Sequence, residues 1–258
     1  MIDIHCHILP GVDDGAKTLE ESLEMCRMAA ADGIQTIVAS PHQQDGVYNT
    51  AAETILQKAE LLRRAVKQAA IPLTILPGAD VYIDVNTAES IANGSVMTIN
   101  QTGRYFLMEF PSHTLPANID KLIFNLLLKN ITPVLTHPER IGEVQQHPGQ
   151  VYELVSLGVL SQITAMSLTG GFGRHAQKCA KTLVEHNLAH IIATDAHSVA
   201  SRPPILSKGV EVAARIVGKE QAQAMVTTIP RQIISGEPVV NLEPPIPVKR
   251  RGFLSLFT

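Results

Sequence analysis

Cysteine pairs and excess positive charge are both missing from this sequence. Only three cysteines occur, Cys6, Cys26 and Cys179, and none forms a Cys-x-x-Cys pair. Such an odd, scattered set argues against a disulfide framework and favours a reducing cytosol. The 21 basic and 24 acidic residues give a net charge of −3, so no overall positive field indicates nucleic-acid binding.

Long apolar runs are missing as well. No stretch of about 18 uninterrupted apolar residues occurs, so we predict no membrane-spanning helix. The first residues lack a basic region followed by an apolar run, so we expect no signal peptide. The 258 residues are 45% hydrophobic and 17% charged, which suits a soluble globular protein with one full core.

Short apolar segments alternate with segments of helical periodicity. The apolar segments, predicted to be strands, are 2–7, 34–39, 73–76, 105–110, 133–136, 159–164 and 190–194. Thr18 with Glu21 and Thr50 with Glu53 are typical of capping boxes at helix starts. Because apolar strands separated by helices favour parallel pairing, we predict a single α/β domain, a closed or nearly closed barrel, over residues 1–240.

The first strand carries the strongest functional signal. His5 and His7 lie two positions apart, so they project from the same side of the strand. A loop containing Asp13 and Asp14 follows. Two imidazoles followed by carboxylates are typical of the start of a metal site.

Further imidazoles and carboxylates occur where the later strands end. In α/β barrels the chemistry gathers at the C-terminal ends of the strands, so we expect these side chains to converge on one rim. The predicted metal ligands are His5, His7, Asp14, His42, Asp80, Glu109, His137, Asp195 and His197. A His-x-His motif alone would be weak evidence, and the prediction depends on the joint placement at strand ends.

This ligand set also indicates which metals to expect. Mixed imidazole and carboxylate ligation suits manganese first, with iron or zinc as alternatives, better than calcium or magnesium. Two or three divalent ions can be held, with a carboxylate bridging a pair. The remaining histidines are predicted to be structural or exposed: His113, His147, His175, His186 and His190.

Several motifs, taken in order, point to a known family. They are HCH near the N-terminus, SPH, GAD, MEF, THPER, SLTGGFG and TDAH followed by RPP, and they cover about residues 1–240. This set resembles the PHP (polymerase and histidinol phosphatase) superfamily, and more closely its bacterial capsular and exopolysaccharide branch of metal-dependent protein-tyrosine phosphatases. The resemblance implies a distorted (β/α)7 barrel. It also implies hydrolysis of phosphotyrosine on a tyrosine kinase of polysaccharide export, in the cytoplasm or at the inner membrane face through that partner.

The resemblance further implies three metal ions. Its ligand sets are His5, His7, Asp80 and Asp195 for the first ion, Asp80, Glu109 and His137 for the second, and Asp14, His42 and His197 for the third. The family usually has glutamate at the bridging position that Asp80 occupies. An aspartate reaches about one methylene less, which bears on metal stoichiometry more than on reaction class.

Two arginines are predicted to bind the substrate's phosphate. Arg140 follows His137 by three positions and Arg202 follows His197 by five, and a guanidinium group can bind phosphate oxygens bidentately. Both positions match phosphate-contacting arginines of the family. We expect a hydroxide held by the metals to attack phosphorus in line. A tyrosinate, with a pKa of about 10, leaves with little protonation.

A covalent cysteine mechanism has no support in the sequence. Cysteine-dependent tyrosine phosphatases have a Cys-x5-Arg motif, but the residues six positions after the three cysteines are Val12, Asp32 and Glu185. Two alternatives stay open. One is another phosphoesterase of the superfamily, acting on histidinol phosphate or another small molecule, and the other is a non-catalytic metal-binding scaffold.

The C-terminal residues 241–258 differ in character from the rest. Prolines are followed by a basic triplet beginning at Lys249 and then by apolar residues from Phe253 onwards. The segment is either a disordered end or a short basic-apolar anchor to an anionic membrane or a partner. The oligomeric state, including a homo-oligomer, is left open.

Overall fold

The computed structural model describes residues 1–44 and 46–248. In it, strands and helices alternate as the sequence predicts. The strands are β1 (Ile2–Cys6), β2 (Thr36–Ala39), β3 (His42–Gln43), β4 (Thr74–Pro77), β5 (Asp80–Tyr82), β6 (Tyr105–Glu109), β7 (Thr132–Thr136), β8 (Leu160–Thr164) and β9 (Ile191–Ala193). The helices of the first half are α1 (Leu19–Ala31), α2 (Ala52–Gln68), α3 (Thr87–Ala92) and α4 (Ile119–Leu128). Those of the second half are α5 (Gly142–Gln146), α6 (Gly149–Leu157), α7 (Ala165–Thr169), α8 (Gly173–Glu185), α9 (Ser207–Val217), α10 (Lys219–Ala224) and α11 (Thr228–Ile234).

Parallel pairing links these strands around a ring. One sheet has the order β1-β2-β4 and the other the order β3-β5-β6-β7-β8-β9. The sheets share two strand positions, because β3 resumes β2 after a two-residue break and β5 resumes β4 in the same way. A parallel bridge between Cys6 and Ala196 joins β1 to the segment after β9. Seven strand positions therefore follow one another with helices outside, and the predicted α/β fold is confirmed.

An irregularity in β1 determines which of its residues face the middle of the ring. Ile2 and Ile4 pack in the cluster that also contains Leu107, Val134 and Ile191 of the other strands. The register of β1 against β2 then shifts between Asp3 and Cys6, and Cys6 packs in the separate cluster under the helices. Because a bulge exchanges the two faces of a strand, His5 and His7 turn inward while Cys6 turns outward.

One of the two predicted capping boxes is wrong. Thr18 caps α1 and its hydroxyl accepts from the Glu21 N–H at 3.2 Å, although the Glu21 carboxylate accepts from Lys17 rather than from Thr18. Helix α2 instead begins after Ala51, which makes no side-chain capping bond. The Thr50 carbonyl accepts from the Gln43 side chain at 3.0 Å, so this residue is held against β3 instead.

The residues after α11 run back along the body of the protein. The Tyr105 hydroxyl donates to the Glu237 carbonyl at 2.7 Å, and the Ile246 N–H donates to the His186 carbonyl at 2.8 Å. The predicted boundary at residue 240 stays a prediction, and the basic-apolar part from Lys249 lies outside the described residues. Among the residues that are described, no helix is long and apolar enough to cross a bilayer.

Candidate metal centre

The first predicted ligand set meets inside the rim of the ring. His5 and His7 are fully buried, and their Nε2 atoms lie 3.1 Å apart. The Nε2 of His5 lies 3.4 Å from Oδ2 of Asp80 and 3.3 Å from Oδ1 of Asp195. The Nε2 of His7 lies 3.4 Å from the same Asp195 oxygen. The strand ends of β1, β4/β5 and β9 therefore bring these four side chains together.

The second predicted set lies beside the first and shares Asp80 with it. The Nε2 of His137 is 3.8 Å from Oδ2 of Asp80 and 3.8 Å from Oε1 of Glu109. His42, predicted for the third ion, also reaches this group, with its Nδ1 3.1 Å from Oε2 of Glu109. His42 therefore lies between two groups of ligands and presents one ring nitrogen to each.

The third predicted set occupies the opening of the site. Oδ1 of Asp14 lies 3.5 Å from Nε2 of His42 and 3.3 Å from Nε2 of His197. His7 joins this group, since one donor atom from each of the four residues lies within 4.8 Å of the others. The rings of His7 and His197 stack with their centroids 3.9 Å apart. All nine predicted ligands thus face one region, and their role as ligands stays a prediction.

Asp80 supplies the test of whether these residues suit a cation. The side chain is fully buried, and neither of its carboxylate oxygens has a hydrogen-bond partner. A buried carboxylate that accepts no hydrogen bond is costly unless positive charge close by compensates it. Two ligands of one ion, each about 2.1 Å from it, lie about 3.0–3.4 Å apart. The 3.4 Å between Asp80 and His5 matches that spacing, so the donor set fits divalent metal.

The electrostatics of the site also favour a bound cation. Burial lowers the pKa of His5, but the charges of Asp80 and Asp195 outweigh it and raise the pKa to about 9. Burial likewise opposes the charge of His42, yet its contact with Glu109 and the nearby Asp80 raise the pKa to about 10. Without metal the carboxylates therefore favour protonation of His5 and His42. A protonated histidine cannot ligate, so protons and metal ions compete for this site.

Two residues outside the set of nine predicted ligands hold the histidine rings in place. The Nδ1 of His7 donates to Oδ2 of Asp13 at 2.7 Å, and Nδ1 of His5 lies 2.9 Å from Oε1 of Gln162. Each contact leaves Nε2 of the ring facing the centre of the site, which is the usual arrangement behind a metal-binding histidine. A polar residue in the middle of the buried strand β8 was the available signal for Gln162.

The loop that carries Asp13 and Asp14 lies very close to β1. A Cβ atom at Gly15 would lie 2.0 Å from the His7 carbonyl oxygen, so only glycine fits there. Oδ1 of Asp13 accepts from the Gly15 N–H at 2.9 Å, and Oδ2 accepts from the His42 N–H at 3.0 Å. Asp13 therefore connects the first loop to the end of the second strand position.

Backbone strain also concentrates at this rim. His137 and Asp195 have φ values of 35° and 50°, in the left-handed region that non-glycine residues rarely adopt. The Asp195 N–H donates to the His5 carbonyl at 2.8 Å, which holds this conformation against β1. Strained residues of this kind cluster at functional sites, where the surrounding structure maintains them.

Both predicted phosphate-binding arginines reach the site. Nη1 of Arg140 and Nη2 of Arg202 each donate to Oδ2 of Asp195, on the side of the carboxylate away from His5 and His7. Their guanidinium groups also face the ring of Phe172, at 4.5 Å and 5.6 Å from its centroid. The arginines thus border the predicted metal ligands and remain partly exposed, and their role in phosphate binding stays a prediction.

The remaining histidines and the cysteines lie apart from this group. His190 is buried and its Nδ1 accepts from the Ser161 N–H at 3.0 Å, which makes it structural. His113, His147 and His175 are exposed and His186 is partly buried. Cys6, Cys26 and Cys179 are all buried and free, and burial raises the pKa of the Cys6 thiol well above its usual value. None of the three is placed or activated as a nucleophile.

Comparison with known proteins agrees with this geometry. The family model for capsular polysaccharide synthesis, CpsB/CapC, matches residues 1–235. The chain is 38% identical to the tyrosine-protein phosphatase YwqE of Bacillus subtilis (strain 168) over 257 residues, which is 100% of each chain. It is 34% identical to the tyrosine-protein phosphatase CpsB of Streptococcus pneumoniae over 239 residues, covering 91% of this chain and 98% of the relative. A crystal structure from work on YwqE and CpsB, described as unique metal-dependent tyrosine phosphatases, matches with a TM-score of 0.92 and 38% identity, covering 97% of this chain and 100% of that one.

Proposed function

Because the chain belongs to the CpsB/CapC family of capsular polysaccharide synthesis, we propose that it is a metal-dependent tyrosine-protein phosphatase. It is a phosphoric monoester hydrolase that releases phosphate from phosphotyrosine in a protein. The observation that carries the proposal is the convergence of four carboxylates and five histidines beside two arginines. Such a site combines ligands for divalent cations with donors for phosphate oxygens.

We assign the nine ligands to two or three ions, with Mn²⁺ as the first choice and iron or zinc as alternatives. Oδ2 of Asp80 faces His5 at 3.4 Å, His137 at 3.8 Å and His42 at 3.9 Å. This central position supports Asp80 as the bridging carboxylate despite its shorter side chain. When bound, the ions supply Lewis-acid chemistry that activates water and offsets charge on the phosphoryl group.

The protein's own residues then have separate tasks. Arg140 and Arg202 bind phosphoryl oxygens and stabilise the charge that accumulates on them in the transition state. Asp13 and Gln162 keep the His7 and His5 rings oriented through their Nδ1 atoms. A tyrosinate leaving group has a pKa of about 10 and needs little protonation, so the reaction does not require a strong acid in the site.

The proposed substrate is a phosphotyrosine-bearing protein, specifically a tyrosine kinase of polysaccharide export. Family membership supports a role in capsular polysaccharide synthesis, and the names of the relatives support tyrosine phosphate as the target. We place the reaction in the cytoplasm, since three buried free cysteines suit a reducing compartment. Contact with the inner membrane face would come through the partner.

One preparation of purified protein tests the reaction class. Bound metal is measured by elemental analysis, and hydrolysis of a phosphotyrosine peptide and of histidinol phosphate is compared with and without added Mn²⁺. We expect bound transition metal and a preference for the peptide. A preference for histidinol phosphate would instead indicate a phosphoesterase that acts on small molecules. A protein with neither metal nor Mn²⁺-stimulated hydrolysis would instead be a scaffold.

A further inference from the structure

Phe172 lies beside the two arginines of the site. The centroid of its ring is 4.5 Å from the guanidinium carbon of Arg140 and 5.6 Å from that of Arg202. Both distances are within the range of cation–π attraction, which extends to about 6 Å. One aromatic ring therefore contacts both of the arginine side chains to which the proposed function assigns phosphate binding.

The loop between α7 and α8 fixes where this ring lies. Gly170 and Gly173 on either side have φ values of +94° and +89°, which side-chain-bearing residues rarely adopt. A Cβ atom at Gly171 would lie 2.5 Å from the Met166 side chain, so the loop is pressed against α7. The Gly171 N–H donates to the Met166 carbonyl at 2.9 Å. The loop thus presents Phe172 from a defined backbone position.

The two arginines need such a support because they carry like charges close together. Both donate to the same oxygen, Oδ2 of Asp195. The two guanidinium groups therefore converge on one acceptor oxygen. When the arginines bind phosphate instead, they lose part of their hold on Asp195, whereas the contact with the ring does not depend on that acceptor.

We propose that Phe172 is a positioning residue that holds the guanidinium groups of Arg140 and Arg202 side by side for binding a phosphoryl group. This inference rests on the proposed function, and it assigns Phe172 an effect through the arginines rather than on the substrate's own ring. Its π face attracts both cations, and the apolar ring shields them from water on one side. A leucine of similar bulk offers no such face.

The test is a cycle of variants in the metal-loaded, full-length protein. Phe172→Leu, Phe172→Tyr, the pair Arg140→Ala/Arg202→Ala and the triple variant with Phe172→Leu are compared. Binding of inorganic phosphate is measured by calorimetry, kcat and KM are measured with a phosphotyrosine peptide, and thermal unfolding reports on folding. Inorganic phosphate has no ring, so its affinity isolates the effect on the arginines.

We expect Phe172→Leu to weaken phosphate binding about threefold to 30-fold, the range that loss of cation–π attraction supplies, with an unchanged unfolding temperature. Phe172→Tyr should restore affinity, and Phe172→Leu should add almost nothing once both arginines are absent. The proposal is overturned by unchanged phosphate affinity, by an effect that persists in the arginine-free background, or by a loss confined to the peptide. Absence of peptide hydrolysis in the parent protein would defeat the proposed function, while the phosphate-binding cycle would still decide the role of Phe172.

Discussion

Replacing Asp13 by asparagine tests the most informative contact of the metal centre. The Asp13 carboxylate accepts three hydrogen bonds, from Nδ1 of His7 at 2.7 Å, the His42 N–H at 3.0 Å and the Gly15 N–H at 2.9 Å. Asparagine has only one acceptor oxygen, so its amide would turn N–H groups toward one of these donors. Either His7 and the His42 N–H lose their acceptor, or the Gly15 N–H within the same loop loses its acceptor.

The expected magnitude follows from the position of this contact behind a ligand. Loss of a hydrogen bond that orients a metal-binding histidine typically lowers metal affinity or activity about 10- to 100-fold. Burial opposes the charge of Asp13, but the charge of His7 and the hydrogen bonds bring its pKa down to about 2, so the carboxylate is ionised at neutral pH. The substitution therefore also removes a full negative charge beside the site.

The assay is titration of the chelator-stripped protein with Mn²⁺ by calorimetry, followed by kinetics at saturating Mn²⁺. We expect weaker Mn²⁺ binding, and partial recovery of turnover when excess metal is supplied. The matched control is Glu143→Gln, which changes a carboxylate that also accepts from three donors, the Thr114 hydroxyl, the Leu115 N–H and the Gln150 amide, away from the ligands. Equal Mn²⁺ affinity for Asp13→Asn and the parent protein would refute the assignment of His7 as a ligand oriented by Asp13.

Further substitutions address the ligands and the arginines directly. His5→Ala, Asp195→Ala and His197→Ala should each abolish turnover and lower the bound metal, whereas the exposed His147→Ala should not; retained activity in all three would rule out the site. Arg140→Ala and Arg202→Ala should each weaken phosphate recognition about ten- to 100-fold, the usual range for a lost charge-assisted hydrogen bond. Kinetics equal to those of the exposed control Arg27→Ala would remove the two arginines from the mechanism.

The convergence of the nine side chains could be predicted because they lie at the ends of strands whose sequence is clearly apolar, or in the loops that follow. Asp195 illustrates this, since it lies two residues beyond the strand Ile191–Ala193, and the parallel order of the strands places that end at the rim. The strands β3 and β5 could not be predicted, because they are only two and three residues long. Each follows a break in the strand that contains a proline or a glycine. Two or three residues are then too few to show the hydrophobic alternation of a strand.

The supporting contacts escaped prediction for a different reason. Asp13 and Asp14 are adjacent carboxylates in one loop, and sequence alone does not determine which turns toward His7 and which toward the opening. Asp14, at 46% side-chain exposure, faces His42 and His197, while the Asp13 side chain is fully buried behind His7. The difference arises from the close approach of Gly15 to β1, which is a tertiary contact. Phe172 reads as an isolated apolar residue in a glycine-rich loop until the arginines are placed against it.

His190 gives a prediction on stability that is independent of the metal ligands. Burial lowers its pKa from the ordinary value of 6.5 to about 4, and its Nδ1 accepts from the Ser161 N–H. Below pH 6.5 the unfolded chain takes up a proton that the folded chain refuses, so stability falls until the pH reaches about 4. The loss approaches about 3 kcal/mol, at 1.36 kcal/mol for each unit of the shift.

His190→Asn removes this proton uptake and keeps an acceptor for Ser161, because the asparagine oxygen can take the place of Nδ1. Thermal unfolding of both proteins between pH 7 and pH 4 should therefore show a shallower decline for the variant, whereas the exposed His147→Asn should follow the parent. Loss of bound metal on acidification changes the unfolding temperature of all three proteins equally, so it does not alter the difference between their curves. Parallel curves for His190→Asn and the parent would mean that His190 is protonated in the folded state, in conflict with its burial.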